Sequence, residues 1–302
     1  MEKEKIAKAF RDIQFDICQQ LESADNGGTF VEDAWQRDGG GGGFSRVLRN
    51  GSIIEKGGVN FSEVYGDTPE KILKSFKIDK PVSFYATGVS IVIHPSNPFV
   101  PIIHMNIRYF EMGNGTWWFG GGIDLTPHYI LPEDAHWFHV ALKEVCDRHD
   151  KAYYPKFKSW ADDYFYIKHR NETRGIGGIF FDRLNQKPID ELFDFVCDVG
   201  NSFAPIYTHF MLKHRHTKYN DAHKAWQYIR RGRYAEFNLV WDQGTRFGLE
   251  TNGRTESILM SLPPMASWEY DHAPSPESSE YKTLQLLQKG INWADGIDHS
   301  MA

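Results

Sequence analysis

The stretch from residue 84 to residue 126 constrains the fold more than any other part of the sequence. Two runs rich in β-branched and aromatic residues, 84–94 and 100–111, are followed by Gly113-Asn114-Gly115 and by a third such run that begins at Thr116. A glycine-flanked asparagine between two runs of this kind is typical of a β-hairpin. The stretch therefore predicts neighbouring antiparallel strands.

The rest of the chain alternates between helical and strand-like patterns. Apolar residues at helical spacing predict helices at residues 2–22, 133–149, 188–213 and 277–289. Further strands are predicted within residues 30–65 and at residues 234–241 and 257–262. Clusters of strands separated by helices predict an α+β fold. Because no linker or repeat divides the 302 residues, we expect one domain over residues 1–302.

Charge and composition exclude several classes of protein. The formal net charge is −6 and the pI is near 6.1, so the chain has no basic field for nucleic acid, and an anionic ligand would need local arginines. No apolar run approaches the ~20 residues of a membrane-spanning helix. We therefore expect neither nucleic-acid binding nor a transmembrane segment.

The cysteines and the first residues bear on the compartment. Cys18, Cys146 and Cys197 are too few and too scattered for a disulfide framework or an iron–sulfur cluster. The first ten residues include acidic side chains and lack the apolar core of a secretory signal. Both features favour a cytoplasmic protein.

Strand periodicity puts several polar side chains on one face of the predicted sheet. Successive side chains of a strand alternate between faces, so His104, Asn106 and Arg108 point the same way. By the same count, Ser90 and His94 share a face of the preceding strand. The pattern fits either a functional surface or simply a solvated face of the sheet.

The strand after the hairpin brings Gly120-Gly121-Gly122 and Asp124 roughly opposite Arg108 and His104. Three glycines leave a patch without side chains, which favours close approach of a ligand or of another backbone. A bulge or bend in the strand is the structural alternative.

Glycines and histidines elsewhere suggest two further kinds of site. The tract Gly39 to Gly43 is followed by a strand rather than by a helix N-terminus, so it does not indicate nucleotide binding. The chain has 13 histidines, and His136 and His139 lie on adjacent turns of one predicted helix. Their spacing is unspecific, and a metal site remains an alternative.

Five longer motifs together resemble the oxygen-dependent coproporphyrinogen III oxidase family, across about residues 30 to 290. They are Glu32-Asp33-Ala34-Trp35, Glu55-Lys56-Gly57-Gly58-Val59-Asn60-Phe61-Ser62, His104-Met105-Asn106-Ile107-Arg108-Tyr109-Phe110, Gly120-Gly121-Gly122-Ile123-Asp124-Leu125-Thr126-Pro127 and His169-Arg170-Asn171-Glu172-Thr173-Arg174-Gly175-Ile176-Gly177-Gly178-Ile179-Phe180-Phe181-Asp182. The chain has Ala161 where the family commonly has Cys after the Trp. A thiol at that position is therefore no part of this protein's mechanism.

The resemblance implies a fold, an assembly and a reaction. The fold is a large seven-stranded antiparallel sheet flanked by helices on both faces, and the assembly is a homodimer formed through about residues 234–269. The reaction is the oxidative decarboxylation of two propionates of coproporphyrinogen III to vinyl groups, which gives protoporphyrinogen IX in haem biosynthesis. Molecular oxygen is the co-substrate, and no organic cofactor is expected.

The resemblance also implies roles for individual residues. His104 is the expected proton donor. The expected substrate contacts are Ser90, Asn106, Ile107, Arg108, Asn252, Gly253 and Arg254. The expected ligands of a divalent metal are His94, His104, His139 and His169.

The chemistry of the implied substrate adds a hypothesis about charged side chains. Its four carboxylates suit arginines and its inward-pointing pyrrole N–H groups suit a carboxylate. We therefore expect Arg108 and Arg254 to hold propionates, and Asp124 to accept hydrogen bonds from the pyrroles, with His104, Asp124 and Arg108 as the catalytic group.

Two alternatives remain at this point. A metal-dependent oxidoreductase would need the four histidines to converge. A non-catalytic tetrapyrrole-binding protein would keep arginines and aromatics without needing His104 beside Asp124. The unrelated oxygen-independent enzyme for the same step uses a Cys-x-x-x-Cys-x-x-Cys motif, which is absent from the sequence.

Overall fold

The computed structural model describes residues 1–68, 73, 81–250 and 253–296. Its main sheet has seven strands, all antiparallel to their neighbours, in the order β1-β2-β3-β4-β5-β6-β9. The strands, including a separate two-stranded ladder of β7 and β8, are β1 Val31–Gln36, β2 Gly41–Arg49, β3 Ile54–Asp67, β4 Ser83–Pro95, β5 Ile102–Met112, β6 Trp117–Thr126, β7 Tyr166–Ile167, β8 Glu172–Thr173 and β9 Gly177–Leu184. The predicted antiparallel sheet is confirmed.

Helices pack against both faces of this sheet. Within the described residues they are α1 Lys3–Asp25, α2 Pro132–Asp147, α3 Tyr153–Tyr164, α4 Ile189–His214, α5 Asp221–Glu236, a π-helix at Phe237–Trp241, α6 Gln243–Glu250, α7 Thr255–Leu259, α8 Ser279–Gln285 and a 3₁₀ turn at Trp293–Asp295. The described helices include none long and apolar enough to cross a bilayer. The predicted α+β class is therefore confirmed.

One face of the sheet forms the main core. Ile107 is fully buried on this apolar face and packs against α1 and α4. At Gly200 of α4 an added Cβ would lie 2.9 Å from Ile107 Cδ1 and 3.2 Å from Ile13. Glycine at this position therefore lets α4 approach the sheet closely, where the close packing of large apolar side chains stabilises the fold.

The other face, called here the polar face, carries Ser90, His104, Asn106, Arg108 and Asp124. Helix α5 and the π-helix cover one part of it, with Tyr234 packed on Val92 and Ile102. The start of α7 covers another part, because Ser257 binds Ser45 at 2.8 Å and accepts a bond from Asn60 at 2.9 Å. Between these covers the polar face stays partly open.

The strand predicted at residues 234–241 is wrong, because this segment is helical. Helix α5 begins with a capping box between Asn220 and His223, and its buried aromatic residues recur at helical spacing from Trp226 to Tyr234 and Phe237. That spacing continues the helix into the β-branched and aromatic segment despite its strand-like composition.

The strand predicted at residues 257–262 is also wrong. Helix α7 ends at Leu259, and the carbonyls that follow accept hydrogen bonds from side chains of the sheet, with Lys56 Nζ donating to Leu262 at 2.7 Å and His94 Nε2 to Ser261 at 2.8 Å. Side chains of β3 and β4 thus bind this segment, and it does not pair as a strand.

Three fully buried histidines make the stability of the fold dependent on pH. Burial lowers the pKa of His94 and His128 well below the usual value, with Arg231 adding to the effect, and burial lowers the pKa of His139 to about 3. Below about pH 6.5 the unfolded chain therefore binds protons that the native chain does not. Each histidine should then lower the free energy of unfolding by about 1.4 kcal/mol for each pH unit below that value.

The measurement is urea unfolding at pH 7.5, 6.0 and 5.0, a range above the usual pKa of carboxyl groups. Stability should be complete above pH 6.5 and should fall by about 4 kcal/mol per unit well below it, for three histidines. His139→Gln should remove about a third of the slope, whereas the exposed His216→Gln should leave it unchanged. A stability curve that stays flat down to pH 5.0 would contradict the assignment.

Candidate active site

The register of the central strands determines which side chains meet on the polar face. In β5 and β6, His104 lies opposite Asp124, Asn106 opposite Gly122 and Arg108 opposite Gly120. In β4 and β5, Ser90 lies opposite Asn106. The predicted juxtaposition of the glycines and Asp124 with Arg108 and His104 is confirmed.

His104, Asp124 and Arg174 form one hydrogen-bonded group. His104 Nδ1 lies 2.8 Å from Asp124 Oδ1, and Arg174 donates to both carboxylate oxygens, at 2.7 and 3.1 Å. Burial by itself raises the pKa of Asp124, but the Arg174 guanidinium and the His104 hydrogen bond hold it below its usual value. Asp124 is therefore anionic, and His104 donates its Nδ1 proton to it, which leaves Nε2 as the ring nitrogen for other partners.

The guanidinium of Arg174 is itself almost completely buried, at 3% exposure. It lies 4.4 Å from the ring centre of Phe165, 4.7 Å from that of Tyr234 and 4.6 Å from that of Phe237. Its Nη1 donates to Asn238 Oδ1 at 2.8 Å. Burial disfavours the charged form, but Asp124 raises the pKa of Arg174 above its usual value. The three aromatic rings, together with Asp124 and Asn238, thus surround a permanent cation that is linked to His104 through Asp124.

Asp124 presents almost no surface to a ligand, with 1% of its area exposed. Both of its oxygens already accept hydrogen bonds within the protein. Direct acceptance of pyrrole N–H groups by Asp124 is therefore not supported by this geometry. The arrangement suits a residue that orients His104.

Arg108 and Asp182 form a second charged pair, in a more open part of the polar face. Arg108 Nη2 lies 2.8 Å from Asp182 Oδ1, and its Nη1 donates to Asn106 Oδ1 at 2.8 Å. The side chains of Arg108 and Asp182 are 37% and 33% exposed. Of Arg108 and Arg174, Arg108 is thus the one whose guanidinium a dissolved carboxylate can reach.

Gly120 lies directly beneath this pair. A Cβ added there would come within 2.7 Å of both Arg108 Nε and Asp182 Oδ1. At Gly122 the obstacle would be the backbone of β9, with Ile179 O at 2.7 Å. The register between β6 and β9 also shifts between Phe119 and Gly121. Close approach and a bulge, the two predicted explanations of the glycine run, therefore both apply.

An aromatic wall borders the polar face on the β9 side. Tyr164 stacks on Phe180 with ring centres 4.0 Å apart, and Trp160 meets the same ring edge-on at 5.4 Å. The Tyr164 hydroxyl donates to Asp242 Oδ1 at 2.8 Å. Ala161 is buried in the same aromatic cluster, so the residue that replaces the family's cysteine fills a packing position.

The four predicted metal ligands do not converge. His94 donates to the Ser261 carbonyl, His139 is buried between the Tyr154 hydroxyl and the Ile176 carbonyl, and His169 binds Glu236 and Trp241. In the described part of the chain, no three His, Cys, Asp or Glu side chains are grouped so as to hold a metal ion. In the described residues, each of the four histidines thus has its own hydrogen-bond partners, and together they form no common ligand set.

The predicted substrate contacts fall into three groups. Ser90, Asn106 and Arg108 share the polar face, whereas the Ile107 side chain is buried in the core on the other side of the sheet, so only its backbone can serve a ligand. Asn252 lies outside the described residues. Gly253 donates its N–H to the carbonyl of Gly248 at 2.8 Å.

Arg254 lies at the far side of the polar face, where it forms an ion pair with Asp33 of the edge strand. It borders a cavity of about 210 Å³ that Arg49 and Lys56 also line, together with the carboxylates Asp33 and Glu256. This second group of cationic side chains can receive an anionic ligand from the side opposite to the aromatic wall.

Sequence reasoning missed Arg174, Asn238, Asp182 and Asp242. The signal for Arg174 was indirect: a carboxylate on a strand flanked by buried residues needs a cation partner, and Arg174 precedes the glycines that pair with the Asp124 strand. The signal for Asn238 was absent, because it depends on the helical path of residues 234–241.

Comparison with known proteins gives a consistent result. The family model described as coproporphyrinogen III oxidase matches residues 5–293. An oxygen-dependent coproporphyrinogen-III oxidase, chloroplastic, of Glycine max is 50% identical over 303 residues, which cover 96% of this chain and 79% of the relative. The oxygen-dependent coproporphyrinogen-III oxidase of Drosophila melanogaster is 48% identical over 295 residues, which cover 93% and 76%.

Proposed function

The chain belongs to the coproporphyrinogen III oxidase family, and we propose that it is an oxygen-dependent coproporphyrinogen III oxidase. It converts two propionates of coproporphyrinogen III to vinyl groups and so gives protoporphyrinogen IX in haem biosynthesis. The observation that carries the proposal is the His104–Asp124–Arg174 group on the same face as the accessible guanidinium of Arg108.

The balance of the reaction requires a proton donor. Each propionate loses carbon dioxide, two electrons and one proton from the carbon next to the ring. Dioxygen takes up two electrons and two protons and becomes hydrogen peroxide. One more proton must therefore enter for each propionate, according to RCH₂CH₂COO⁻ + O₂ + H⁺ → RCH=CH₂ + CO₂ + H₂O₂.

His104 is suited to move that proton. An imidazole exchanges protons readily near neutral pH, and its Nδ1 is committed to the Asp124 carboxylate. Nε2 is then the nitrogen that faces the reaction. Asp124 orients the ring through the hydrogen bond to Nδ1, while Arg174 keeps Asp124 ionised.

Arginines suit the carboxylates at the rim of the substrate. We propose that Arg108 and Arg254 each hold a propionate, because guanidinium groups bind carboxylates through two parallel hydrogen bonds. Ser90 and Asn106 lie beside Arg108 and provide neutral hydrogen-bonding groups for the same part of the ligand.

Molecular oxygen is the co-substrate, in keeping with the names of the relatives. We propose no organic cofactor, since the electrons come from the substrate. The residues expected to hold a divalent metal do not fit a common site, and no step of this proposal passes through one.

We further propose that the chain assembles as a homodimer through about residues 234–269. Large apolar side chains are exposed in this part of the chain, where a partner would bury them. They are Leu239, Val240, Phe247, Leu249, Met265 and Trp268. Sedimentation velocity should give twice the mass of 34.9 kDa, and Leu239→Lys should shift it toward the monomer.

The compartment remains a prediction, because relatives of this family include proteins named chloroplastic. The described cysteines are free thiols, which supports a reducing compartment such as the cytoplasm. Cell fractionation with an antibody to the chain would test it.

The decisive experiment is aerobic turnover of chemically reduced coproporphyrinogen III by purified, chelator-treated protein. We expect two molecules of carbon dioxide and two of peroxide for each macrocycle, with two protons taken up in a weakly buffered solution. Tight binding without turnover, with or without added divalent ions, would instead favour a tetrapyrrole-binding protein without catalytic activity.

A further inference from the structure

Asp182 places a negative charge beside an arginine that we propose binds a carboxylate of the substrate. The proposed substrate carries four carboxylates, and a partly exposed aspartate beside their binding arginine repels them. In the described structure Asp182 forms an ion pair with Arg108, with Oδ1 2.8 Å from Nη2. A ligand carboxylate that binds this edge of Arg108 must therefore displace Asp182.

The fold aims Asp182 at this position. Between the pairs Phe119–Leu184 and Gly121–Phe181, β9 has two residues opposite the single Gly120, which is a β-bulge. Arg183 has a φ of 50°, a backbone conformation that non-glycine residues adopt at a cost. Alternation along β9 puts Asp182 on the polar face with Phe180, and the extra residue of the bulge, Arg183, returns Leu184 to the core. Asp182 Oδ1 thus lies over Gly120 and against the Arg108 guanidinium.

We propose that Asp182 is an exchangeable carboxylate, which holds the Arg108 guanidinium until a propionate of the substrate replaces it. The inference rests on the proposed function for the identity of the ligand. Asn106 keeps its hydrogen bond to Nη1 during the exchange, so the guanidinium keeps its place while one carboxylate is substituted for another. No bond other than hydrogen bonds forms or breaks.

The exchange affects both ends of the reaction. On binding, Asp182 lowers affinity, because the displaced carboxylate loses its partner and stands close to another anion. On release, Asp182 recovers Arg108 and so replaces the contact that the departing macrocycle gives up. Asp182 therefore lowers the affinity for the substrate and favours release of the product.

Asp182→Asn tests the proposal, since the amide keeps the shape and one acceptor oxygen but removes the charge. Sodium propionate serves as a minimal carboxylate, titrated while the Arg108 Nε–H signal, assigned by its loss in Arg108→Lys, is followed by NMR. The dissociation constant should fall about three- to fivefold, in keeping with the modest strength of a partly exposed ion pair. With coproporphyrinogen III, KM and kcat should both fall.

Asp198→Asn is the matched control, because it removes the same charge from an aspartate of α4 that pairs with Arg148 on the other side of the sheet. It should leave the dissociation constant of propionate, KM and kcat all unchanged. Equal or weaker propionate binding by Asp182→Asn, or a raised KM, would overturn the exchange. Asp182→Ser provides a second uncharged variant should the first not fold.

The propionate titration also separates this proposal from the proposed function. Tighter propionate binding by Asp182→Asn in a protein that does not turn over coproporphyrinogen III would support the exchange and contradict the proposed reaction. Unchanged propionate binding in an active enzyme would overturn the exchange alone.

Discussion

Arg174→Met should lower the free energy of unfolding by about 3–5 kcal/mol, the usual cost of leaving one partner of a buried ion pair without the other. Asp124 would lose two hydrogen bonds, at 2.7 and 3.1 Å, while staying 1% exposed. Methionine would fill much of the space between the three aromatic rings, so the loss would come from the uncompensated carboxylate. Urea unfolding at pH 7.5 measures it.

Arg170→Met is the matched control. Arg170 also binds a carboxylate through two nitrogens, at 2.9 and 2.7 Å from Glu236, but its side chain is 38% exposed. Its replacement should cost about 1 kcal/mol or less. The double variant Arg174→Met with Asp124→Asn should recover part of the loss, because it removes the buried charge. A loss below 1 kcal/mol in Arg174→Met would contradict the assigned role.

His104→Gln should reduce kcat about 10²- to 10⁴-fold, the range for loss of a general acid or base, with little change in KM. Glutamine can still bond to Asp124, so the fold should be retained, but it cannot carry a proton. The decisive measurement is kcat under air-saturated conditions, together with near-ultraviolet circular dichroism as a test of packing.

Two further variants distinguish proton transfer from packing. His136→Gln changes a histidine of α2 that donates a hydrogen bond to the Trp293 carbonyl. This variant should leave kcat unchanged. Asp124→Asn should also reduce kcat, since His104 would lose the carboxylate that accepts its Nδ1 proton and orients its ring. A kcat for His104→Gln within tenfold of the native value would exclude His104 as the proton donor.

The central strands and their polar face were predictable because strand geometry is local. The turn at Gly113-Asn114-Gly115 sets the pairing of β5 with β6, and a period of two then places His104 beside Asp124. The burial of the Ile107 side chain follows from the same period. The assignment of Ile107 as a substrate contact came from the resemblance, which carries no information on which way a side chain points.

The surroundings of this pair were not predictable, because they depend on contacts between distant segments. Arg174 lies 50 residues from Asp124 in a segment without a clear period. Asn238 reaches it only because the chain continues as a helix beyond Tyr234, where composition favours a strand. The separation of the four histidines was not predictable for a similar reason, since sequence positions contain no information about distances in space.

The π-helix links two parts of the molecule that differ in their exposure to solvent. Phe237 and Asn238 contact the Arg174 guanidinium, while Leu239 and Val240, the next two residues, are about half exposed. A subunit that covers these two side chains would act on the same turn that holds the arginine. Thermodynamic linkage then requires reciprocity: if association of subunits strengthens substrate binding by some factor, bound substrate strengthens association by that same factor.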